Sequence, residues 1–124
     1  MSVPHILIVD EERVVESLRR SLRAAFSVVG KSRAVDAVAL LEGEGADEYD
    51  ALVLDADDAG DREVYASLLD DATRARRIIF VTSATDPRAE SFLAASGRPW
   101  LAKPFATKDL EREIRRVVSG AKRG

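Results

Sequence analysis

Tyr49-Asp50-Ala51-Leu52-Val53-Leu54-Asp55-Ala56-Asp57-Asp58 is the stretch from which the fold of this chain is read. Ala51 to Leu54 is a short apolar run between polar residues, the pattern of a strand buried on both faces. It delivers an acidic cluster at its carboxyl end. In an open α/β sheet, ligands bind in the crevice outside the carboxyl ends of the strands, and Asp55 falls at that lip. An aspartate there also serves as a helix cap. The stretch alone leaves both roles open, so the remaining strands decide.

On the amino-terminal side, Ile6-Leu7-Ile8-Val9 predicts a first buried strand, ending in Asp10-Glu11-Glu12. Val14, Val15, Leu18, Leu22 and Phe26 then recur at helical spacing, with Arg13, Glu16, Arg19, Arg20 and Arg23 between them. Residues 27–31 predict a short second strand. Ser32 is a candidate N-cap for a second helix carrying Val35, Val38, Leu40 and Leu41, with Gly43 and Gly45 as its stop. Downstream, Gly60 is expected to break the chain before a short third helix with Val64, Tyr65, Leu68 and Leu69. Ile78 to Val81 predicts a fourth strand ending in Thr82-Ser83-Ala84. Pro87 suits the first turn of a fourth helix with Phe92 and Leu93 inward, and Gly97 ends it. Trp100-Leu101-Ala102 is a fifth strand, ending in Lys103-Pro104-Phe105. Thr107 is a candidate cap for a last helix whose inner face is Leu110, Ile114, Val117 and Val118. The domain is expected over residues 3–119, with 120–124 as a flexible tail or the start of a linker.

A strand followed by a helix, five times over, implies a parallel sheet covered on both faces. Right-handed crossovers then bring every strand's carboxyl end to one edge. That edge collects Asp10 and Glu11, Asp55 and Asp57, Thr82 and Ser83, and Lys103. Composition agrees with one ordinary domain: 124 residues, 46% apolar, 33% charged, net charge -3. The negative balance argues against nucleic acid as a partner. With no cysteine, disulfides and thiolate metal sites are excluded, which fits a reducing, cytoplasmic setting. No apolar run approaches the roughly 18–20 residues of a membrane span, and no signal-peptide pattern is visible. No glycine-rich loop follows the first strand, which argues against a dinucleotide site.

Converging carboxylates repel one another and raise each other's pKa. A hard divalent cation such as Mg²⁺ relieves this, taking one or two carboxylates, waters and phosphate oxygens. An ammonium and a hydroxyl beside it suit a phosphoryl group. A carboxylate can itself be the nucleophile, giving an aspartyl phosphate. Each residue alone also has a plain structural role, as cap, strand stop or surface charge. The joint pattern carries more, because each piece falls at the end of its own strand.

These motifs, Ile6 to Glu11, Asp50 to Asp55, Val81-Thr82-Ser83 and Lys103-Pro104-Phe105, resemble the receiver domains of two-component response regulators. The resemblance covers roughly Ile6 to Val118. It implies a flavodoxin-like α/β fold, a five-stranded parallel sheet of order 2-1-3-4-5. It implies Asp55 as phosphoacceptor, and Mg²⁺ held by Asp10, Glu11, Asp55 and the Asp57 backbone carbonyl. Thr82 is the implied switch hydroxyl, Trp100 the switch aromatic and Lys103 the phosphate-binding lysine, with a cis Lys103–Pro104 peptide. The implied partners are a histidine kinase or a histidine phosphotransfer protein, and a downstream protein or output domain outside this chain. A second copy could dock through the fourth helix, fifth strand and last helix. Neither nucleic acid nor membrane is expected to be bound by this domain. Beyond its own phosphorylation and dephosphorylation, no enzymatic turnover is expected.

The chain departs from the family pattern in several places. Glu11 stands where the family has a second aspartate. Ala59 and Gly60 stand where a proline is common, and Asp57, Asp58 and Asp61 make the loop acidic. Trp100 is larger than the usual ring. The segment from Asp55 to Thr82 is short for the family, so a trimming of the third helix or of its loops is expected. Two other readings follow: a receiver-like interaction module that needs no phosphate, and a phosphatase of the haloacid-dehalogenase type, whose Asp-x-Asp is matched by Asp55-Ala56-Asp57. Against the phosphatase, the acidic pair precedes every other motif and no cap domain is present.

Overall fold

Five short apolar runs become the strands that carry the molecule: β1 (His5–Val9), β2 (Ser27–Lys31), β3 (Ala51–Asp55), β4 (Ile78–Thr82) and β5 (Trp100–Ala102). All pair in parallel, in the order β2-β1-β3-β4-β5. The helices are α1 (Glu12–Leu22), α2 (Ala34–Glu42), α3 (Ala59–Leu69), α4 (Ala72–Ala75), α5 (Pro87–Ser96) and α6 (Thr107–Arg123). The computed structural model describes residues 3–43, 48–83 and 86–123, with side chains through 120. Gly45 and Ala84, read above as helix stop and strand end, lie outside the described residues.

Side chains alternate across a strand, and this divides the core in two. Ile6, Ile8, Ala51, Val53, Ile79 and Val81 meet Val15, Leu18 and Leu22 of α1 and Leu110, Ile114, Val117 and Val118 of α6. Leu7, Val9, Leu52, Leu54, Ile78 and Phe80 meet α2, α3 and α5 through Leu41, Tyr65, Leu68 and Leu93. Each fully buried side chain of this size contributes about 1.5–3 kcal/mol, so the central strands are anchored from both faces. Gly30 lets α1 lie close on β2: a Cβ there would come 2.0 Å from Val15 Cγ1. Gly97 ends α5 with φ 67°, a left-handed turn that favours glycine.

Several local expectations are corrected. Gly60 does not break the chain; it lies in the first turn of α3. Asp58 caps that helix by accepting from the Asp61 amide at 2.9 Å, and a cap of about 1 kcal/mol offsets the similar cost of a helical glycine. The third helix has 11 residues, and the turn α4 follows, capped by Asp71. Ser32 does not cap α2; Arg33 holds that position without a side-chain bond, and the Ala34 amide instead donates to Asp61 on α3 at 3.4 Å. Val35 is exposed, because the buried phase of α2 is Ala34, Ala37 and Leu41. Thr107 is the first residue of α6 rather than its cap, and the Ala106 carbonyl accepts from the Asp109 and Leu110 amides. Helix α6 continues to Arg123, through residues read above as a tail.

Candidate functional site

Strand register sets the site. Val9 pairs with Leu54, Asp55 with Val81, and Thr82 with Ala102. Asp10, Asp55, Thr82 and Lys103 therefore end their strands almost level. Asp10, Asp55 and Lys103 also continue the parity of Ile8, Val53 and Leu101, which face the α1 and α6 side. Lys103 Nζ lies 2.8 Å from Asp10 Oδ2, 3.3 Å from Asp55 Oδ1 and 3.7 Å from Asp57 Oδ2. One ammonium thus faces three carboxylates. The Lys103–Pro104 peptide bond is cis.

The two acids after β3 have opposite surroundings. Burial, then the charge of Asp10, pushes the Asp55 carboxyl up to about 7 against the pull of Lys103. Its Oδ1 accepts from the Asp57 amide at 3.2 Å. Burial alone would raise Asp57 too, but hydrogen bonds from Ser83 and Thr82 outweigh it and hold that carboxyl at about 2. Thr82 Oγ1 donates to Asp57 Oδ1 at 2.6 Å, the Ser83 amide donates to the same oxygen at 2.8 Å, and Ser83 Oγ donates to Oδ2 at 2.6 Å. For Lys103, burial disfavours the ammonium, yet Asp10, Asp55 and Asp57 outweigh it and raise its pKa.

The side chains gathered here border an open cleft of about 730 Å³, whose lining residues include six acids (Asp10, Glu11, Asp55, Asp57, Asp58, Asp61) and two bases (Arg33, Lys103). The imbalance suits a cation. Asp10 Oδ1 accepts from the Glu11 amide at 2.7 Å, while its buried Oδ2 is paired with Lys103 Nζ at 2.8 Å. Two inward carboxylates sharing a single ammonium fit a hard divalent ion. Asp10 and Asp55 are the residues placed to hold it. The Glu11 side chain is not brought in; it is 72% exposed, 3.8 Å from Arg13. The Asp57 carbonyl accepts from Arg62 Nη1 at 3.2 Å, and Asp57 also lines the cleft. Among the described residues no three carboxylate or imidazole donors form a cation cage.

Arg62 is the functional neighbour that sequence reading missed. It is 7% exposed, donates to the Ala56 carbonyl at 2.8 Å as well as to Asp57, and lies 3.7 Å from Asp86. It fixes the loop that follows Asp55. Its spacing of three and six from Tyr65 and Leu68 already placed it on the buried face of α3. Trp100 is 47% exposed on β5, while the Thr82 hydroxyl points to Asp57.

No family model matches this chain, and no curated protein matches it. Solved structures do. A signal receiver domain of a modulated diguanylate cyclase from Desulfovibrio desulfuricans G20 is 27% identical, with 98% of each chain covered and a TM-score of 0.78. A signal receiver domain of an HD domain-containing protein from Pseudomonas fluorescens Pf-5 is 20% identical, covering 99% of this chain and all of that one at TM-score 0.83. A response regulator receiver domain protein from Methanospirillum hungatei JF-1 is 22% identical, with 98% of each covered and a TM-score of 0.78. Among the described residues, no helix is long and apolar enough to cross a membrane.

Proposed function

This chain has the receiver-domain fold of response regulators, and from that premise we propose that it is the phosphoryl-accepting switch of a phosphorelay. The observation that carries the reading is the meeting of Asp10 and Asp55, at the ends of two strands, within 3.3 Å of the Lys103 ammonium at the end of a third. A Asp55 carboxylate oxygen attacks the phosphorus of a phosphohistidine on a kinase or phosphotransfer protein. The new O–P bond forms as the P–N bond breaks, and the imidazole leaves with the electron pair. Mg²⁺, when held by Asp10 and Asp55, supplies the charge neutralisation that this many anions need. Lys103 neutralises a further phosphoryl oxygen. Asp55 is half-buried and lines the open cleft, where a phosphodonor can reach it. The exposed ring of Trp100, on β5 between α5 and α6, marks the face through which a downstream protein or a second copy reads the state.

The test is incubation with Mg²⁺ and a small phosphodonor, followed by intact-mass measurement. One phosphoryl group is expected on the wild-type chain and none on Asp55→Asn. An unchanged gain in that variant refutes the assignment. A second reading, an interaction module that needs no phosphate, is favoured by one observation: Thr82 and Ser83 already engage an anion, the Asp57 carboxylate. Absence of labelling in a folded protein would favour it. Steady turnover of phosphate esters would exclude both.

A further inference from the structure

The Asp57 carboxylate has no task in the phosphoryl-transfer reading, which is carried by Asp10, Asp55 and Lys103. Yet the structure gives it the donors that a phosphoryl group needs. Its Oδ1 takes the Thr82 hydroxyl and the Ser83 amide, its Oδ2 takes the Ser83 hydroxyl, and Lys103 Nζ stands 3.7 Å away. We propose that the Asp57 carboxylate is an internal occupant of the anion pocket, which a phosphoryl group on Asp55 must displace.

The geometry supports direct competition. Asp57 is two residues from Asp55, and its amide bonds the Asp55 carboxylate. A phosphoryl group on Asp55 would therefore arrive beside the Asp57 side chain. It would bring roughly −1.5 to −2 charge into a cleft where Asp10, Asp57, Asp58 and Asp61 are already acidic. Lys103, Thr82 and Ser83 each already face a carboxylate. A cation at Asp10 and Asp55 offsets part of that charge, but the hydroxyl and amide donors of Thr82 and Ser83 reach the incoming anion only if it takes them from Asp57. Displacement takes a rotation of the Asp57 side chain away from Thr82 and Ser83. Arg62 on the carbonyl pins the Asp57 backbone, while the carboxylate borders the open cleft. Asp57 thus acts as a specificity element: it slows capture of phosphate and disfavours adventitious oxyanions.

The inference rests on the phosphoryl-accepting reading for its kinetic half only, so the experiment has two arms. Wild type, Asp57→Ala, Asp57→Asn and Asp55→Asn are first checked for folding by circular dichroism. In one arm they are labelled with Mg²⁺ and acetyl phosphate, with rates read by intact mass. In the other, inorganic phosphate is titrated without phosphodonor, and the Ser83 amide is followed by NMR. Labelling of Asp57→Ala is expected to be about tenfold faster or more, the scale of one charge-assisted hydrogen bond. Inorganic phosphate at millimolar concentration is expected to shift the Ser83 amide in Asp57→Ala and not in wild type. Labelling that is unchanged or slower in Asp57→Ala, with Asp55→Asn unlabelled, overturns the proposal and leaves the phosphoryl-accepting reading standing. If no protein is labelled, that reading fails and the titration decides alone; equal response of Ser83 in wild type and variant, or none in either, overturns the proposal. Should Asp57→Ala not fold, Asp57→Asn, which keeps the shape and one acceptor, is expected to change both readouts in the same direction by less; no change in either overturns it.

Discussion

The loops after β1 and β3 both deliver paired acids to the same sheet edge, and they treat them differently. After β1, Asp10 turns inward and is 2% exposed, while Glu11 turns out to solvent. After β3, both Asp55 and Asp57 turn inward. Asp55 is held near 7 by burial and by Asp10; Asp57 is held near 2 by Ser83 and Thr82. Being drawn to the edge does not fix the state of an acid. The supply of donors does, and the loop after β3 has them because β4 ends beside it in two hydroxyl residues. Buried Arg62, which holds that loop's carbonyls, has no counterpart after β1 among the described residues.

The largest expected effect separates the two acids by pH. Unfolded, each titrates near 3.8; folded, Asp55 titrates near 7. Between those values the folded chain keeps a proton that the unfolded chain has lost. Stability of the metal-free protein therefore falls as pH rises from about 4 to about 7, by no more than about 4 kcal/mol. Asp57 works in the opposite sense at lower pH: below about 4 the unfolded chain takes up a proton first, and stability falls as pH drops toward 2. Urea unfolding across this range checks both limbs. Asp55→Asn should flatten the upper limb and leave the lower; an upper limb unchanged in that variant breaks the comparison.

Next in size is Arg62→Ala. It strands the Ala56 and Asp57 carbonyls and leaves a cavity, so a loss of about 3 kcal/mol is expected by chemical denaturation. Arg13→Ala, next to exposed Glu11, should lie within about 0.5 kcal/mol. Similar losses for the two would mean that the loop after β3 is not held from below.

The smallest effect sharpens the β1 loop. Millimolar Mg²⁺ should raise the melting temperature by about 2–5 °C through mass action on the folded state. Asp10→Asn should abolish this gain, and Glu11→Gln should only blunt it. Equal loss in both variants would show that Glu11 swings inward when the ion binds.

How much of this was legible in sequence depended on the kind of signal. The five strands and the two-sided core followed from apolar runs such as Ile6-Leu7-Ile8-Val9, because a buried strand excludes polar residues throughout; the strand order came only with the family resemblance. Asp10, Asp55, Thr82 and Lys103 were legible because strand ends in a parallel sheet share an edge. Register made them level, and register is set by contacts between strands. Arg62 was hidden by its charge: a lone arginine reads as solvated surface, and only the carbonyls of Ala56 and Asp57 explain its burial. The Asp57 side chain was hidden by its chemistry, since its partners Thr82 and Ser83 lie 25 and 26 residues away. Gly60 misled because its propensity is local, whereas the cap from Asp58 that offsets it belongs to the whole first turn.

The central claim is that donors leave Asp55, not Asp57, as the nucleophile. Borohydride reduction converts an aspartyl phosphate to homoserine, so reduction after labelling with Mg²⁺ and acetyl phosphate, followed by peptide mass mapping, reads the modified position directly. Homoserine at position 55 alone is predicted. Homoserine at position 57, or divided between the two, would contradict it.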